Sequence, residues 1–388
     1  MNERRVFVTA LALALGAAIS LGLARFSYAL LLPPMRAELG WSYFTAGAMN
    51  TVNAMGYLVG ALLLPRALAK LDARTIFLAG GWGAALLLAL HGVAGSVVRS
   101  DALLYALRGL TGVASAATFA SGGLLAARLG QQPGARPSLV LGLYYGGTGL
   151  GIVASSLIVP PLTWPVAWQG LALAALAATL AMSWGTRPLA AAPMAAAARG
   201  AGFSARDFAF GLAGYLMFGL GYIGYMTFIV TLLREQGASG ATVVAFYILL
   251  GCGVIASSWL WAPLLQRYRG GQPLALLNAL LAVATLLPVL SAHPLAVFAS
   301  GALFGAVFLS LVASTTALVR HNLPPAAWPA GIAAFTSIFA AGQIVGPSLV
   351  GWVADGAGGL ARGLAVSAGV LALGALLAAR QRALKQPL

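Results

Sequence analysis

The sequence predicts an all-α membrane protein of twelve transmembrane helices in two six-helix, pseudo-symmetric halves, and three observations carry that prediction. The 388 residues are 61% hydrophobic and only 7% charged, with a mean hydropathy of +0.92, against roughly 25% charged residues in a soluble domain. The apolar residues fall into twelve runs of about 20, the length that crosses a bilayer core as a helix. Short segments of the first half recur in the second at nearly constant spacing.

The runs lie at 6–32, 41–64, 75–98, 102–127, 138–161, 166–185, 208–233, 242–265, 273–291, 295–319, 328–353 and 361–379. Backbone amides left unpaired in lipid are costly, so each run is expected to be helical. The opening MNERRVFVTALALALGAAISLGLA has the basic start of a secretory signal. Its apolar stretch is too long and eleven more follow, so it is read as an uncleaved first span.

Of the 22 Lys and Arg, Arg36, Arg99, Arg234 and Arg362 fall on one side of the membrane, Arg25 and Arg108 fall inside spans, and all others fall on the side of the termini. The positive-inside rule then places both termini in the cytoplasm of a bacterial inner membrane. A net charge of +15 raises the question of a nucleic-acid partner. The basic residues are scattered singly, with no stripe and no stacking aromatics among them, which argues against one. The single cysteine, Cys252, sits in an apolar run and allows no internal disulfide.

The longest stretch without an apolar run, TRPLAAAPMAAAARGAGFSAR at 186–206, reads as a flexible cytoplasmic linker between residues 1–185 and 207–388. The halves match across it. GLARFSY (22–28) aligns with GLGYIGY (219–225) at an offset of 197, and GTGLG (147–151) with GQIVG (342–346) at 195. The first offset also places Gly56 on Gly253 and Lys70 on Arg267. A duplicated six-helix unit is the architecture of alternating-access transporters.

Several stretches resemble the major facilitator superfamily. LRGLTGVASA matches its helix-four pattern of Arg followed four residues later by Gly, here Arg108 and Gly112. GALLLPRALAKLDAR is similar to its gating loop at Gly60, Arg66, Lys70 and Arg74, except that Leu64 stands where an acidic residue is expected. YYGGTGLGIVAS only loosely resembles the superfamily's antiporter motif and lacks its proline. ARFSYALLLPPM, NAMGYLVGALL and GYIGYMTF resemble the YbfB/YjiJ-like branch. The resemblance implies the major facilitator fold, with helices one, four, seven and ten lining a central cavity.

A charge at the centre of a membrane helix costs roughly 2.5–3.5 kcal/mol on insertion scales, so Arg25 and Arg108 are functional candidates. At about 1.5 Å per residue both lie on the order of 10 Å below the outer edge. All seven carboxylates fall in loops or at span ends. A ligand carrying negative charge would relieve two such cations, and the planar guanidinium matches a carboxylate in two hydrogen bonds. The alternatives are that Arg25 snorkels to the headgroups or pairs with Glu38, and that Arg108 braces neighbouring helices.

Tyr28 shares a helical face with Arg25, and the repeat puts Tyr222 and Tyr225 at the equivalent positions of helix seven. Asn50, Asn53 and Gln343 are uncharged polar groups at mid-span depth, read either as ligands or as interhelical glue. His91 is the one histidine well inside a span.

The expected function is a secondary active transporter for a small organic anion of mono- or dicarboxylate type. The expected substrate-binding residues are Arg25, Tyr28, Arg108, Tyr222, Tyr225, Asn53 and Gln343. No GxxxxGK[ST] occurs, so a proton or counter-anion gradient would supply the work. A proton-coupled exporter of drugs or lipophilic compounds is the alternative. With no HExxH and no extramembrane domain, neither an enzyme nor a bound cofactor is expected, and the protein is read as a monomer in the lipid bilayer.

Overall fold

A computed structural model describes residues 2–189 and 203–384. Among them are twelve helices long and apolar enough to cross a membrane, and no β-strand. They are α1 (Glu3–Leu39), α2 (Tyr43–Leu68), α3 (Ala73–Val98), α4 (Asp101–Gly130), α5 (Pro137–Ile158), α6 (Trp164–Gly185), α7 (Ala209–Glu235), α8 (Gly240–Arg267), α9 (Gln272–Leu290), α10 (Pro294–Asn322), α11 (Pro325–Ala354) and α12 (Gly359–Ala379). Residues 190–202 of the expected linker, and Lys385 near the C-terminus, lie outside the described residues.

The helix ends follow from their sequences. Asp72 accepts from the Thr75 amide at 3.0 Å and starts α3, and Ser100 does the same for α4 through Leu103. Gly40 closes α1 at φ 66°, a left-handed conformation that costs glycine nothing. Within α8 the helix breaks at Trp261, two residues before Pro263, whose ring supplies no amide donor. The first turn of α2 is capped from far along the chain: the two Asp355 carboxylate oxygens accept from the amides of Tyr43 and Phe44 at 2.7 and 2.9 Å.

The chain forms two compact units. The first comprises Met1–Trp41, Val52–Ala196 and Gly237–Ile255, and the second Ser42–Thr51, Ala197–Gln236 and Ala256–Leu388. In the first, α1 and α5 cross so closely that a Cβ on Gly22 would lie 2.4 Å from Gly151 Cα. One on Gly151 would meet the Ala18 carbonyl oxygen at 2.3 Å. In the second, α7 crosses α11 in the same way. A Cβ on Gly219 would lie 2.7 Å from the Phe339 carbonyl oxygen, and one on Gly346 2.5 Å from that of Leu220.

Gly22 and Gly151 are the residues that the repeat matches to Gly219 and Gly346, so each half builds the same backbone-to-backbone crossing with the same glycines. In lipid, where apolar burial drives little association, close packing of small residues is a main source of helix affinity.

Valine at Gly151 or at Gly346 is therefore expected to lower the melting temperature in detergent, or to abolish the folded peak in size-exclusion chromatography. Overpacking costs about 1–3 kcal/mol where side chains can yield, and here the obstruction is backbone. Gly369→Val, at a position where nothing lies within 4 Å of the new Cβ, is expected to melt like the parent protein.

Candidate functional site

Helix α1 is not regular throughout. Ala18–Phe26 is a π-helical stretch, and such irregular turns concentrate at functional sites. Its carbonyls receive side-chain donors from three directions. The Ser27 hydroxyl donates to Leu23 at 2.6 Å, Arg108 Nη1 to Ala24 at 2.8 Å, and the Tyr247 hydroxyl to Phe26 at 2.7 Å.

Arg25 is the last residue but one of this stretch. It is 2% exposed, its guanidinium carbon lies 5.9 Å from the Tyr57 ring centroid, and its Nε and Nη2 have no hydrogen-bond partner. Glu38, the nearest acid in sequence, is engaged elsewhere. It pairs with Arg99 at 3.1 Å and accepts from Trp164 Nε1 at 2.7 Å. The headgroup alternative for Arg25 does not fit a side chain buried this fully.

Arg108 is buried differently. Its guanidinium lies 5.0 Å from the Tyr28 ring and 5.9 Å from the Trp168 ring, and Trp168 stacks on His91 at 4.6 Å. Because a carbonyl only accepts, the 2.7 Å contact of His91 Nδ1 with Leu87 O puts a proton on Nδ1. Tyr28, Arg108, Trp168 and His91 thus form a column through α1, α4, α6 and α3 that fixes the Arg108 side chain. Asn53 joins from α2, donating through Nδ2 to the Arg108 carbonyl at 3.0 Å.

Of the residues expected from sequence, Arg25, Tyr28, Asn53 and Arg108 therefore come together in the first unit. Tyr222 and Gln343 come together in the second, where Gln343 Nε2 donates to the Tyr222 hydroxyl. Tyr225 has a separate environment. Ser300 Oγ donates to the Ala284 carbonyl at 2.6 Å, so the Tyr225 hydroxyl, 2.7 Å from Ser300 Oγ, acts as donor. This chain ties α7, α10 and α9 together, and the Tyr225 ring stacks on Phe304 at 4.0 Å. Asn50 likewise bonds Thr227 at 2.8 Å.

Sequence reading missed the rings around Tyr222: Phe218 at 4.7 Å, Phe339 at 5.6 Å and Phe308 at 6.1 Å, all within 25° of parallel. Their signal was the three- and four-residue spacing of Tyr215, Phe218 and Tyr222 on α7, with Phe304 and Phe308 on α10 and Phe335 and Phe339 on α11. Tyr57 was also missed, one turn beyond Asn53, as was Trp168, one turn beyond Trp164.

The residues expected to form the gating loop divide as well. Gly60 packs on α4, where a Cβ would meet the Val113 carbonyl oxygen at 2.8 Å. Arg66 and Lys70 are exposed. Arg74 caps the end of α6, donating to the carbonyls of Ser183 at 2.8 Å and Thr186 at 3.1 Å. Beside it, the Thr75 hydroxyl and the amides of Thr75 and Arg74 donate to Asp72 and hold its carboxyl below the usual carboxylate range.

Two outcomes are expected. A carboxylate with a depressed folded-state pKa contributes stability above its unfolded pKa and loses it as pH falls through the folded value. Asp72→Asn should thus flatten the fall in melting temperature between about pH 5 and about pH 3. Arg108→Ala should destabilise by about 2 kcal/mol or more, since it removes two cation–π contacts and a carbonyl bond from a closed column; a melting curve without ligand measures it.

Comparison with known proteins accords with this architecture. No curated protein matches the sequence. A crystal structure of a mutant of the nucleoside transporter NupG aligns with a TM-score of 0.75 at 16% identity, covering 96% of this chain and 99% of that one. A bacterial homologue of the human lysosomal transporter Spinster aligns at 0.72 with 14% identity and 96% of both chains. The human organic anion transporter MFSD10 aligns at 0.63 with 16% identity, covering 97% of this chain and all of that one. The sequence profile described as "Uncharacterised MFS-type transporter YbfB" matches residues 17–379. The chain is a multi-pass membrane protein that belongs to this family of major facilitator transporters, not to an enzyme family.

Proposed function

We propose that the protein is a secondary active transporter of a small organic anion, with Arg25 as the contact for its carboxylate. One observation carries the reading: a buried guanidinium with two nitrogens unbonded, in a chain whose carboxylates all lie at helix ends or between helices. A buried polar group without a partner costs roughly 1–3 kcal/mol, and more when charged. A carboxylate offering two acceptors removes that cost at both nitrogens. Arg108 adds a second positive charge, but its role is to hold the α1 carbonyl and the aromatic column rather than to grip the ligand.

In this reading residues 1–185 and 207–388 move as two halves about the linker, giving alternating access. The protein works as a monomer in a bacterial inner membrane with both termini cytoplasmic. Protons or a counter-transported anion supply the driving force. Proton coupling then resides in a weak-acid substrate that brings its own proton, since no carboxylate occupies the middle of a span. The parallel rings around Tyr222 favour a second reading, export of flat lipophilic compounds.

Counterflow in proteoliposomes with a panel of radiolabelled carboxylates and lipophilic cations separates the two. The expected result is carboxylate uptake in the parent protein that falls at least about tenfold in Arg25→Gln, with the variant's melting temperature preserved. Uptake of lipophilic cations alone, indifferent to Arg25→Gln, would replace the anion reading with export.

A further inference from the structure

Arg25 accounts for the charge of the ligand and says nothing of its neighbouring atoms; Asn53 does. We propose that the substrate is a hydroxycarboxylate, whose hydroxyl donates to Asn53 Oδ1 while its carboxylate meets Arg25. The proposal rests on the anion reading above.

Asn53 is 1% exposed, and its carboxamide orientation is fixed by its neighbour. The atom that meets the Arg108 carbonyl at 3.0 Å must be a donor, so it is Nδ2. Oδ1 is then the remaining polar atom, buried without a donor. Arg25 Nε and Nη2 are buried donors without an acceptor. The two residues belong to one polar layer. Tyr57, one turn beyond Asn53 on the same face of α2, carries the Arg25 guanidinium over its ring. Arg108 links both sites, accepting from Asn53 through its main chain and donating to the residue before Arg25 through its side chain.

Arg25 and Asn53 do not bond each other, although each would satisfy the other. The fold holds a charged donor and a neutral acceptor apart, and the complementary ligand offers two acceptor oxygens and a donor. Two guanidiniums in the same layer disfavour an ammonium as that donor, which favours a hydroxyl over an amino group. Such polar groups discriminate strongly, because an analogue lacking the hydroxyl leaves Oδ1 as it was, buried and unbonded.

The test is melting-temperature titration of the full-length protein with matched acids: glycolate and acetate, lactate and propionate, malate and succinate, mandelate and phenylacetate. The methyl ether 2-methoxypropionate joins the lactate pair, since it keeps the oxygen and loses the donor. At least one hydroxy acid is expected to bind about tenfold tighter than its partner, with the ether ranking beside the deoxy acid. In Asn53→Ala that ratio should fall to about one while the deoxy acid binds as before.

If carboxylates bind, lose their binding in Arg25→Gln, and show no preference for the hydroxyl, the hydroxycarboxylate proposal fails and the anion reading stands. A preference that the ether shares, or that persists in Asn53→Ala, also overturns it, because the group recognised would then not be a donor at Asn53. If no acid in any pair binds, both fall. The parent protein's preferences stand as a test even if the Asn53 variant fails to fold.

Discussion

Inside hydrocarbon no water completes a hydrogen bond, so any departure from regular helix has to be satisfied by the protein itself. That constraint governs the middle of α1. A π-helical stretch there changes the direction of successive carbonyls, and donors from α1, α4 and α8 reach them. Arg108 is the pivotal one. Its charge is tolerated because aromatic faces surround it, and its position is fixed because Tyr28 and Trp168 leave it little freedom. The irregular turn, the aromatic column and the buried Arg25 guanidinium are parts of one arrangement.

The two arginines lie in opposite circumstances. Both were drawn from the same observation, a charge within a span, and an insertion scale cannot tell them apart. Neighbours distinguish them: Arg108 sits between rings and donates to backbone, while Arg25 has one ring at the edge of cation–π range and two nitrogens unbonded. The two thus differ in how much of their hydrogen-bonding demand the surrounding helices meet.

Much of the architecture was legible in the sequence, because in a membrane protein length and hydropathy nearly determine where helices lie. The repeat was legible too, since Gly22, Gly151, Gly219 and Gly346 sit where backbones touch and any larger residue collides. The candidate site was only partly legible. Arg25, Asn53 and Arg108 stand out by being polar in apolar runs, but Tyr57, Trp168 and Phe339 do not, because aromatic residues are ordinary in such helices. The partners of Arg74 were not legible for another reason. Its motif suggested a gating cation, whereas the open carbonyls at the end of α6, more than a hundred residues away, give it a cap to make.

The cap that Asp355 places on α2 has a bearing on how the chain is made. Synthesis proceeds from the N-terminus, and segments settle as they emerge. The amides of Tyr43 and Phe44 reach the membrane some three hundred residues before the carboxylate that accepts from them, and the carbonyl of Phe26 waits for Tyr247 in the same way. α2 therefore enters the bilayer with a provisional first turn, and its final cap is supplied by a residue made some three hundred positions later.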